Sequence, residues 1–311
     1  MISDKTENSN ENNLSEPASR QASANDITTQ PASSFAGAKW WDAIVILLIA
    51  ILAQLCSGAL TAALSVAFGW ENINTAMDVS LTAEYIDFLQ ARHVAISLIF
   101  SIIIGFAAAA FYARQRGWYK PLSFRTPGWA SPFRLLCGYL LLWCVSITVE
   151  PLAELLPGSQ DKLGGGGWLL FAAVLLAPLF EEVIFRGYIA GALRSTYGGI
   201  AAWLLSSLLF GFMHVEPSII VTATISGLVL GYYYLRYRSL VMVIMLHAMN
   251  NITACFLKTI DLDGVPMREV LGGGTAYWVV YGICAGITLL ALWRMTVGMS
   301  RLKSDNYQIK K

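Results

Sequence analysis

Apolar stretches long enough to cross a lipid bilayer recur along this 311-residue chain, and they restrict its fold more than any other feature. About 20 apolar residues in a helix span the roughly 30 Å hydrocarbon core of a membrane. Hydrophobic residues make up 56% of the chain and charged residues only 13%, whereas roughly a quarter of a soluble domain is charged. Because backbone groups in lipid must be hydrogen-bonded within the protein, such stretches fold as helices. The sequence therefore predicts an all-α, polytopic membrane protein.

The apolar pattern predicts about eight transmembrane helices, which together form a transmembrane domain over residues 40–297. The fifth and sixth helices are short and are separated only near Pro217. Pairs of glycines four residues apart, such as Gly227 and Gly231, are expected at close helix crossings, as are the pairs at 187/191 and 282/286. The helices are expected at 40–69, 93–113, 133–156, 168–194, 199–214, 218–236, 239–258 and 276–296.

The first 39 residues differ in composition from the rest of the chain. They are rich in Ser, Asn, Thr, Gln and Ala, and they lack an apolar core. Such a segment buries too little surface to offset the entropy lost on ordering. We therefore predict a disordered N-terminal tail over 1–39, and a short C-terminal tail over 298–311.

The distribution of basic residues predicts the orientation in the membrane. Cytoplasmic loops carry an excess of Lys and Arg. The loop between the second and third predicted helices has five basic residues and no acid, whereas the loop before the second helix is acidic. We therefore expect both tails in the cytoplasm and the chain in a bacterial inner (plasma) membrane. The net charge of +1 gives no reason to expect a nucleic-acid partner. The loop between the second and third helices carries Arg114, Arg116, Lys120, Arg125 and Arg134. The loop before the second helix carries Glu71, Asp78, Glu84, Asp87 and Arg92.

Two adjacent glutamates, Glu181 and Glu182, lie inside the apolar run 168–193. An ionisable group at that depth costs several kcal/mol unless it is paired or solvated, so it is a functional-site hypothesis by default. Glu182 precedes Arg186 by four residues, the favourable order for a helical ion pair. Glu181 points about 100° away on the same helix. The pattern therefore predicts that Glu182 is paired and that Glu181 is the better candidate for a base.

Two of the three histidines also lie in apolar spans. His214 follows Phe210 by four residues and His247 precedes Asn251 by four, so each pair shares a helix face. Counting about 1.5 Å per residue from the predicted cytoplasmic ends places Glu181 roughly 20 Å deep and His247 roughly 12 Å deep, which allows them to converge. A carboxylate and an imidazole can deprotonate water, while a second imidazole and an amide can stabilise an oxyanion. These residue types are those of peptide-bond hydrolysis.

Taken together, the three motif blocks resemble the CPBP family of intramembrane proteases. This is the CAAX protease and bacteriocin-processing (Abi) family, which includes the type II CAAX prenyl endopeptidases. The resemblance covers about residues 168–258, the expected catalytic core, while residues 1–130 carry no motif of the family. The blocks are Glu181-Glu182-x-x-x-Arg186, Phe210-x-x-x-His214 and His247-x-x-x-Asn251.

The resemblance implies an intramembrane endopeptidase that hydrolyses a peptide bond of a membrane-associated protein or peptide, with CAAX-type processing as the family activity. Its partners would be that substrate and the lipid bilayer. It also implies a role for each motif residue. Glu181 would be the general base with His214 orienting the water, His247 and Asn251 would form the oxyanion site, and Glu182 and Arg186 would support the base.

The family has been described as metal-dependent, so the cofactor question stays open at this point. A metal such as Zn²⁺ would be held by Glu181, His214 and His247, the three plausible ligands. A closed structural zinc site takes four tetrahedral ligands of the Cys and His type, and an Asn with widely separated histidines is a poor match. The sequence favours a glutamate mechanism that requires no cofactor.

Two other functions remain open. One is a catalytically silent membrane scaffold or a bacteriocin-immunity-like binding protein, because a scaffold can retain the motifs. The other is a proton-coupled transporter, since Glu and His chains also relay protons, although no inverted repeat is visible. Other protease classes are disfavoured because the chain has no His-Glu-x-x-His, Gly-x-Gly-Asp or Gly-x-Ser-x-Gly motif.

Overall fold

A computed structural model describes residues 38–70, 83–119, 121–125, 131–157, 166–260, 262 and 264–302. The predicted N-terminal tail lies outside these residues except for its last two positions, as does the C-terminal tail beyond residue 302. The loop residues Glu71, Asp78 and Lys120 also lie outside them. The disorder predicted for the tail 1–39 therefore remains a prediction.

The described part of the chain is helical and has no strand. Seven of its helices are long and apolar enough to cross a membrane, judged by length and composition. The prediction of an all-α, polytopic membrane protein is confirmed. The helices are α1 (Trp40–Ala67), α2 (Ala83–Gln115), α3 (Ser131–Ala153), α4 (Gly166–Phe212), α5 (Pro217–Tyr237), α6 (Leu240–Thr259), the short α7 (Met267–Val270) and α8 (Thr275–Ser300).

Helix α4 bends at Gly198 into two arms, residues 166–197 and 199–212. Gly198 has φ 83° and ψ −176°, a conformation that glycine adopts at little steric cost. The two arms correspond to the predicted fourth and fifth helices, which a continuous hydropathy profile would merge. Helix α2 begins at Ala83 rather than at residue 93, because helical hydrogen bonding extends into polar residues that precede the apolar span.

The remaining helix boundaries follow local sequence signals. Pro217 stands in the first turn of α5, where its missing N–H has no helical acceptor. Arg238 ends α5 in the left-handed conformation, and Ser239 begins α6 by accepting a hydrogen bond from Met242 N at 3.1 Å. Helices α5 and α6 are therefore joined by a tight turn of two residues.

Several helix ends meet at one surface, which we call the basic face. Leu240 N donates to Ser123 O at 2.9 Å, Gly199 N donates to Leu302 O at 2.7 Å, and Trp40 N donates to the Tyr197 hydroxyl at 3.1 Å. These bonds place the start of α1 and the end of α8 together, as the predicted orientation requires. Which compartment this face meets remains a prediction. Its basic residues are Lys39, Arg114, Arg116, Arg125, Arg134, Arg194, Arg236, Arg238 and Arg301.

Asp42 is the one acidic residue of the basic face within the described residues, and it is fully buried. It accepts hydrogen bonds from Tyr112 Oη at 2.6 Å, Arg116 Nε at 2.9 Å and Lys39 N at 2.6 Å. The hydrogen bond to Asp42 raises the pKa of Arg116 above its ordinary value. Asp42 therefore fixes the start of α1 to the end of α2.

The glycine pairs differ in how closely a neighbouring helix approaches them. A Cβ at Gly227 would lie 3.1 Å from the Phe210 ring, and one at Gly231 would lie 3.2 Å from Ser207 Oγ. Helix α5 therefore packs closely on the second arm of α4, as predicted. At Gly282 and Gly286 a Cβ would meet no described atom within 4 Å. The predicted close crossing is wrong for this pair within the described chain.

Candidate active site

The first arm of α4 positions the two glutamates and departs from regular α-helix. Its π-helical segments Phe171–Leu176 and Val183–Ala190 flank the short α-helical segment Ala177–Glu182. Such π-helical segments occur frequently at functional sites. Glu181 and Glu182 both belong to the α-helical segment, so their side chains diverge by about 100°. This divergence allows them to approach one group from two sides.

That group is the imidazole of His247 in α6. Its Nδ1 lies 2.8 Å from Glu182 Oε1, and its Nε2 lies 3.8 Å from Glu181 Oε2. The first distance is a hydrogen bond, and the second is too long for one. Each ring nitrogen of His247 thus faces a different carboxylate, inside a helix bundle that is largely apolar.

Glu182 and Arg186 form the ion pair predicted from their spacing. Arg186 Nη1 lies 3.1 Å from Glu182 Oε1, and both side chains are fully buried. Arg186 Nη2 also donates to Gly227 O at 3.2 Å, which supplies the additional hydrogen bond that a buried pair needs. The helical wheel did not predict that the same Glu182 oxygen also contacts His247. Glu182 therefore bonds to His247 of another helix as well as to Arg186 of its own helix.

Phe210 connects the second histidine to this group. Its ring centroid lies 5.2 Å from that of His214 and 5.8 Å from that of His247. The Arg186 guanidinium lies 4.3 Å above the Phe210 ring. His214 Nδ1 is 3.1 Å from Phe210 O, and no hydrogen bond or ion pair joins His214 to either glutamate within the described ranges. Sequence reasoning placed Phe210 on the face of His214 but did not predict its contact with His247.

Asn251 makes a contact that its sequence position did not predict. Its Nδ2 donates to Ala173 O at 2.7 Å, in the first π-helical segment. Ala177 N–H bonds to Ala172 O, and Pro178, the next residue, has no N–H to donate. The Ala173 carbonyl is therefore left for a side-chain donor, and Asn251 joins α6 to the first arm of α4. An amide group has two N–H bonds, so one remains for the predicted oxyanion role.

A polar cavity of about 180 Å³ opens between the second arm of α4, α5 and α6. The predicted residues His214, His247 and Asn251 all line it. Sequence reasoning missed three further polar residues of its wall. Their signals were present, because Asn250 adjoins Asn251 in an apolar helix and Thr222 precedes Ser226 by four residues. The polar lining is His214, Thr222, Ser226, His247, Asn250 and Asn251.

A second, apolar cavity of about 400 Å³ lies between α2 and the first arm of α4. Its wall includes Val94 and Leu98 of α2 and Leu169 and Ala172 of α4, and Asn251 lines it as well. Asn251 thus belongs to the walls of both cavities. A chain that occupied both spaces would pass the Asn251 amide.

The predicted metal ligands Glu181, His214 and His247 are not gathered into one site. In the part of the chain that the structure describes, no three His, Cys, Asp or Glu side chains could hold one metal ion together. His247 Nδ1 is bonded to Glu182, and His214 Nδ1 faces the Phe210 carbonyl. These residues do not fit a catalytic zinc site with three protein ligands.

Comparisons with known proteins match the part of the chain that carries the three motif blocks. Residues 164–253 match the model of the family described as type II CAAX prenyl endopeptidase Rce1-like, and this range contains all three motif blocks. The "Putative membrane peptidase YdiL" of Bacillus subtilis (strain 168) is 25% identical over 111 residues, which are 34% of this chain and 46% of that protein. The match thus spans about half the length of this curated relative. No solved structure matches the chain. The family resemblance read from the motif blocks is confirmed, because residues 164–253 of this integral membrane protein match the type II CAAX prenyl endopeptidase Rce1-like family.

Proposed function

We propose that the chain is an intramembrane endopeptidase that hydrolyses a peptide bond of a membrane-associated protein or peptide. The observation that carries this proposal is His247, held between Glu182 at 2.8 Å and Glu181 at 3.8 Å in the wall of a polar cavity. Ionisable residues inside membrane spans mark functional sites by default. The match of residues 164–253 to a peptidase family supports the same activity.

In this proposal Glu181 is the base that activates water. Its Oε2 is buried and has no hydrogen-bond partner among the described residues. This oxygen and His247 Nε2 are close enough for one water molecule to contact both. Glu181 takes a proton from the water, the hydroxide oxygen adds to the substrate carbonyl carbon, and Glu181 then returns the proton to the leaving nitrogen. Glu182 Oε2 is also buried without a hydrogen-bond partner among the described residues, but Glu182 is less suited as the base because its Oε1 accepts from Arg186 and His247.

The negative charge on the attacked carbonyl oxygen requires donors. Asn251 offers the N–H that does not bond to Ala173 O. His247 bonds to Glu182 through Nδ1, so donation from Nε2 requires the doubly protonated ring, which then has a carboxylate near each nitrogen. His214, in the wall of the same cavity, orients the water or the substrate. Two preorganised donors stabilise an oxyanion far better than bulk water does.

The apolar cavity suggests how the substrate is held. Its lining is hydrophobic apart from Gln90 and Asn251, and Asn251 also lines the polar cavity. An apolar segment or lipid group of the substrate would fill this space while the scissile bond lies beside Asn251. A CAAX-type substrate has that character, and the family resemblance favours it.

We also propose the setting in which this chemistry takes place. The basic face lies on the cytoplasmic side of a bacterial inner membrane, because basic residues are retained on that side. In this proposal no metal takes part, because Glu181, His214 and His247 do not form a zinc ligand set and no other such set occurs among the described residues. The partners are the bilayer and the membrane-associated substrate, and nothing in the chain favours nucleic acid.

Comparative peptidomics tests the proposal directly. Membranes that contain the wild-type protein, Glu181→Ala or Glu154→Ala are compared for new peptide termini. Glu154 is an exposed glutamate beyond the end of α3 and serves as the matched control. Termini that appear with wild type and Glu154→Ala but not with Glu181→Ala support an endopeptidase. Identical peptide sets in all three membranes would favour a catalytically silent scaffold or immunity-like protein instead.

A further inference from the structure

The wall of the polar cavity has two hydrogen-bonding side chains that the proposed reaction does not use. They are Asn250 of α6 and Ser226 of α5, and both are half-buried. The water and the oxyanion are assigned to His214, His247 and Asn251 of the same wall. Neither Asn250 nor Ser226 makes a side-chain hydrogen bond to another described residue. Their donors and acceptors are therefore available to a molecule in the cavity.

Ser226 departs from the usual behaviour of a helical hydroxyl group. A serine or threonine inside a helix often donates to the carbonyl four residues earlier. Thr222 does so to Ser218 O at 3.3 Å, and Ser146 does so to Leu142 O at 3.1 Å. Ser226 makes no such bond to Thr222 O in the described structure. Its hydroxyl proton is therefore not taken up by its own helix.

The contacts of the neighbouring residues hold both side chains in place. Gly227 O, next to Ser226, accepts from Arg186 Nη2 at 3.2 Å. On α6, the amide side chain of the residue after Asn250 donates to Ala173 O at 2.7 Å. Both bonds lead to the first arm of α4, which carries the two glutamates. Ser226 and Asn250 therefore have fixed positions relative to the proposed base.

A peptide that reaches this cavity from the membrane must lose helical hydrogen bonds. A membrane segment is helical because hydrocarbon offers no partner for its N–H and C=O groups. Water can attack the scissile carbonyl carbon only where the helix is opened. The opened N–H and C=O groups cost free energy unless the site bonds to them. The cavity must therefore supply donors and acceptors to the main chain of the substrate.

We propose that Asn250 and Ser226 are substrate-binding residues that hydrogen-bond to the main chain of an unwound substrate segment. An amide side chain can accept from a substrate N–H and donate to a substrate C=O, and a hydroxyl group can do either. Asn250 adjoins Asn251, the proposed oxyanion donor, so it contacts the substrate close to the scissile bond. The inference rests on the proposed peptidase function, and it adds that the substrate is bound extended and recognised through its main chain.

Removal of single backbone N–H groups from the substrate tests this inference. The substrate is the membrane segment at which wild type produces a new terminus in the peptidomic comparison, synthesised as a labelled peptide. It is assayed with the full-length protein in nanodiscs. Each residue around the cut, except the one that supplies the scissile N–H, is replaced in turn by its α-hydroxy acid, which turns the amide into an ester. For wild type, at least one replacement should raise KM about fivefold, the scale of one lost hydrogen bond.

The variants connect that lost bond to a named side chain. Asn250→Ala should raise KM about tenfold with kcat nearly unchanged, because its bonds form in the ground state and the transition state alike. One ester that weakens binding to wild type should have no further effect in Asn250→Ala, because its acceptor is already absent. Ser226→Ala should raise KM about threefold, whereas Ser226→Thr keeps the hydroxyl group and should not.

Ser146→Ala is the matched control. Ser146 is a half-buried helical serine that lines neither cavity, so KM and every ester effect should stay at the wild-type value. If Asn250→Ala does not fold, Ser226→Ala carries the test in the same ester series.

The outcomes separate this inference from the proposed function. Suppose that wild type cleaves the segment and that every ester weakens both alanine variants as much as it weakens wild type. Asn250 and Ser226 then do not bind the main chain, and this inference alone is overturned. A loss of kcat in Asn250→Ala with unchanged KM would also overturn it. If no new terminus depends on wild-type protein, the proposed function fails and this inference fails with it.

Discussion

Glu182 Oε1 lies 2.8 Å from His247 Nδ1, although the two residues are 65 positions apart in the chain. The same oxygen lies 3.1 Å from Arg186 Nη1. A proton on Nδ1 that bonds to Glu182 leaves Nε2 to face Glu181, where Nε2 accepts in the neutral ring and donates in the doubly protonated ring that the proposed oxyanion role requires. Glu182 therefore determines which ring nitrogen of His247 faces Glu181, and it does so as a positioning residue.

This relationship predicts different effects for the two glutamates. Glu181→Ala should lower the cleavage rate at least about a hundredfold, the scale of a lost general base, with little change in thermal unfolding. Glu182→Gln should lower the rate less, but should destabilise the protein by roughly 3–5 kcal/mol because Arg186 loses its buried partner. Cleavage assays and thermal unfolding of the purified variants measure both effects.

Glu154→Gln provides the control for these two variants, because Glu154 is exposed. It should change neither cleavage nor unfolding. Undiminished cleavage by Glu181→Ala would remove Glu181 from the role of base. Loss of cleavage in Glu182→Gln without loss of stability would transfer that role to Glu182.

The bond from Asn251 to Ala173 O predicts a structural effect that can be separated from catalysis. Asn251→Ala leaves the part-buried Ala173 carbonyl without its donor and should cost about 1 kcal/mol of stability. Pro178→Ala restores an N–H that can bond to Ala173 O, so the cost of Asn251→Ala should be smaller in that background. A double-mutant cycle of unfolding free energies measures the difference.

The same variants test the oxyanion role. Asn251→Ala should lower kcat by roughly 10²–10³ with little change in KM, whether or not Pro178 is replaced, because a transition-state donor is lost. Recovery of kcat in the Pro178→Ala background would show that Asn251 acts only by positioning the first arm of α4. An effect confined to KM would make Asn251 a substrate-binding residue.

Metal removal distinguishes the two mechanisms considered for Glu181. The glutamate mechanism predicts that the purified, detergent-solubilised protein keeps its activity after dialysis against a strong chelator. Elemental analysis should then find well below one zinc per chain. Recovery of a chelated, inactive protein by one equivalent of Zn²⁺ would instead establish a metal site, for which three protein ligands and a water are normal.

The orientation predicts the accessibility of single cysteines in a cysteine-free background. A cysteine at Ser123, on the basic face, should be shielded from impermeant thiol reagents in intact cells, as should one at Ser304. A cysteine at Thr75 should react. The carbonyl of residue 123 keeps its bond to Leu240 N after substitution, so folding should be unaffected. Labelling at Ser123 would reverse the predicted sidedness.

The sequence by itself determined the class of protein, the apolar helical segments and the motif residues of the proposed site. These depend on local rules, namely the length of apolar runs and the four-residue spacing of helix faces. The Glu182–Arg186 ion pair is such a local relationship, and it is present. A break between the fourth and fifth predicted helices and a boundary near Pro217 were likewise expected, and the structure has them at Gly198 and Pro217. Asn250, Thr222 and Ser226 had similar signals, but the sequence did not distinguish cavity residues from ordinary polar ones.

Only the tertiary structure decided which side chains meet across helices. Depth counting put Glu181 roughly 8 Å deeper than His247, yet His247 lies between the two glutamates at 2.8 and 3.8 Å. Counting assumes vertical, regular helices with a common starting plane, whereas the first arm of α4 contains two π-helical segments and the helices start at different heights. The bond from Asn251 to Ala173 O depends on such a segment and on Pro178. Cross-helix contacts of this kind follow from tilt, register and local helix type, which the spacing of residues within one helix does not encode.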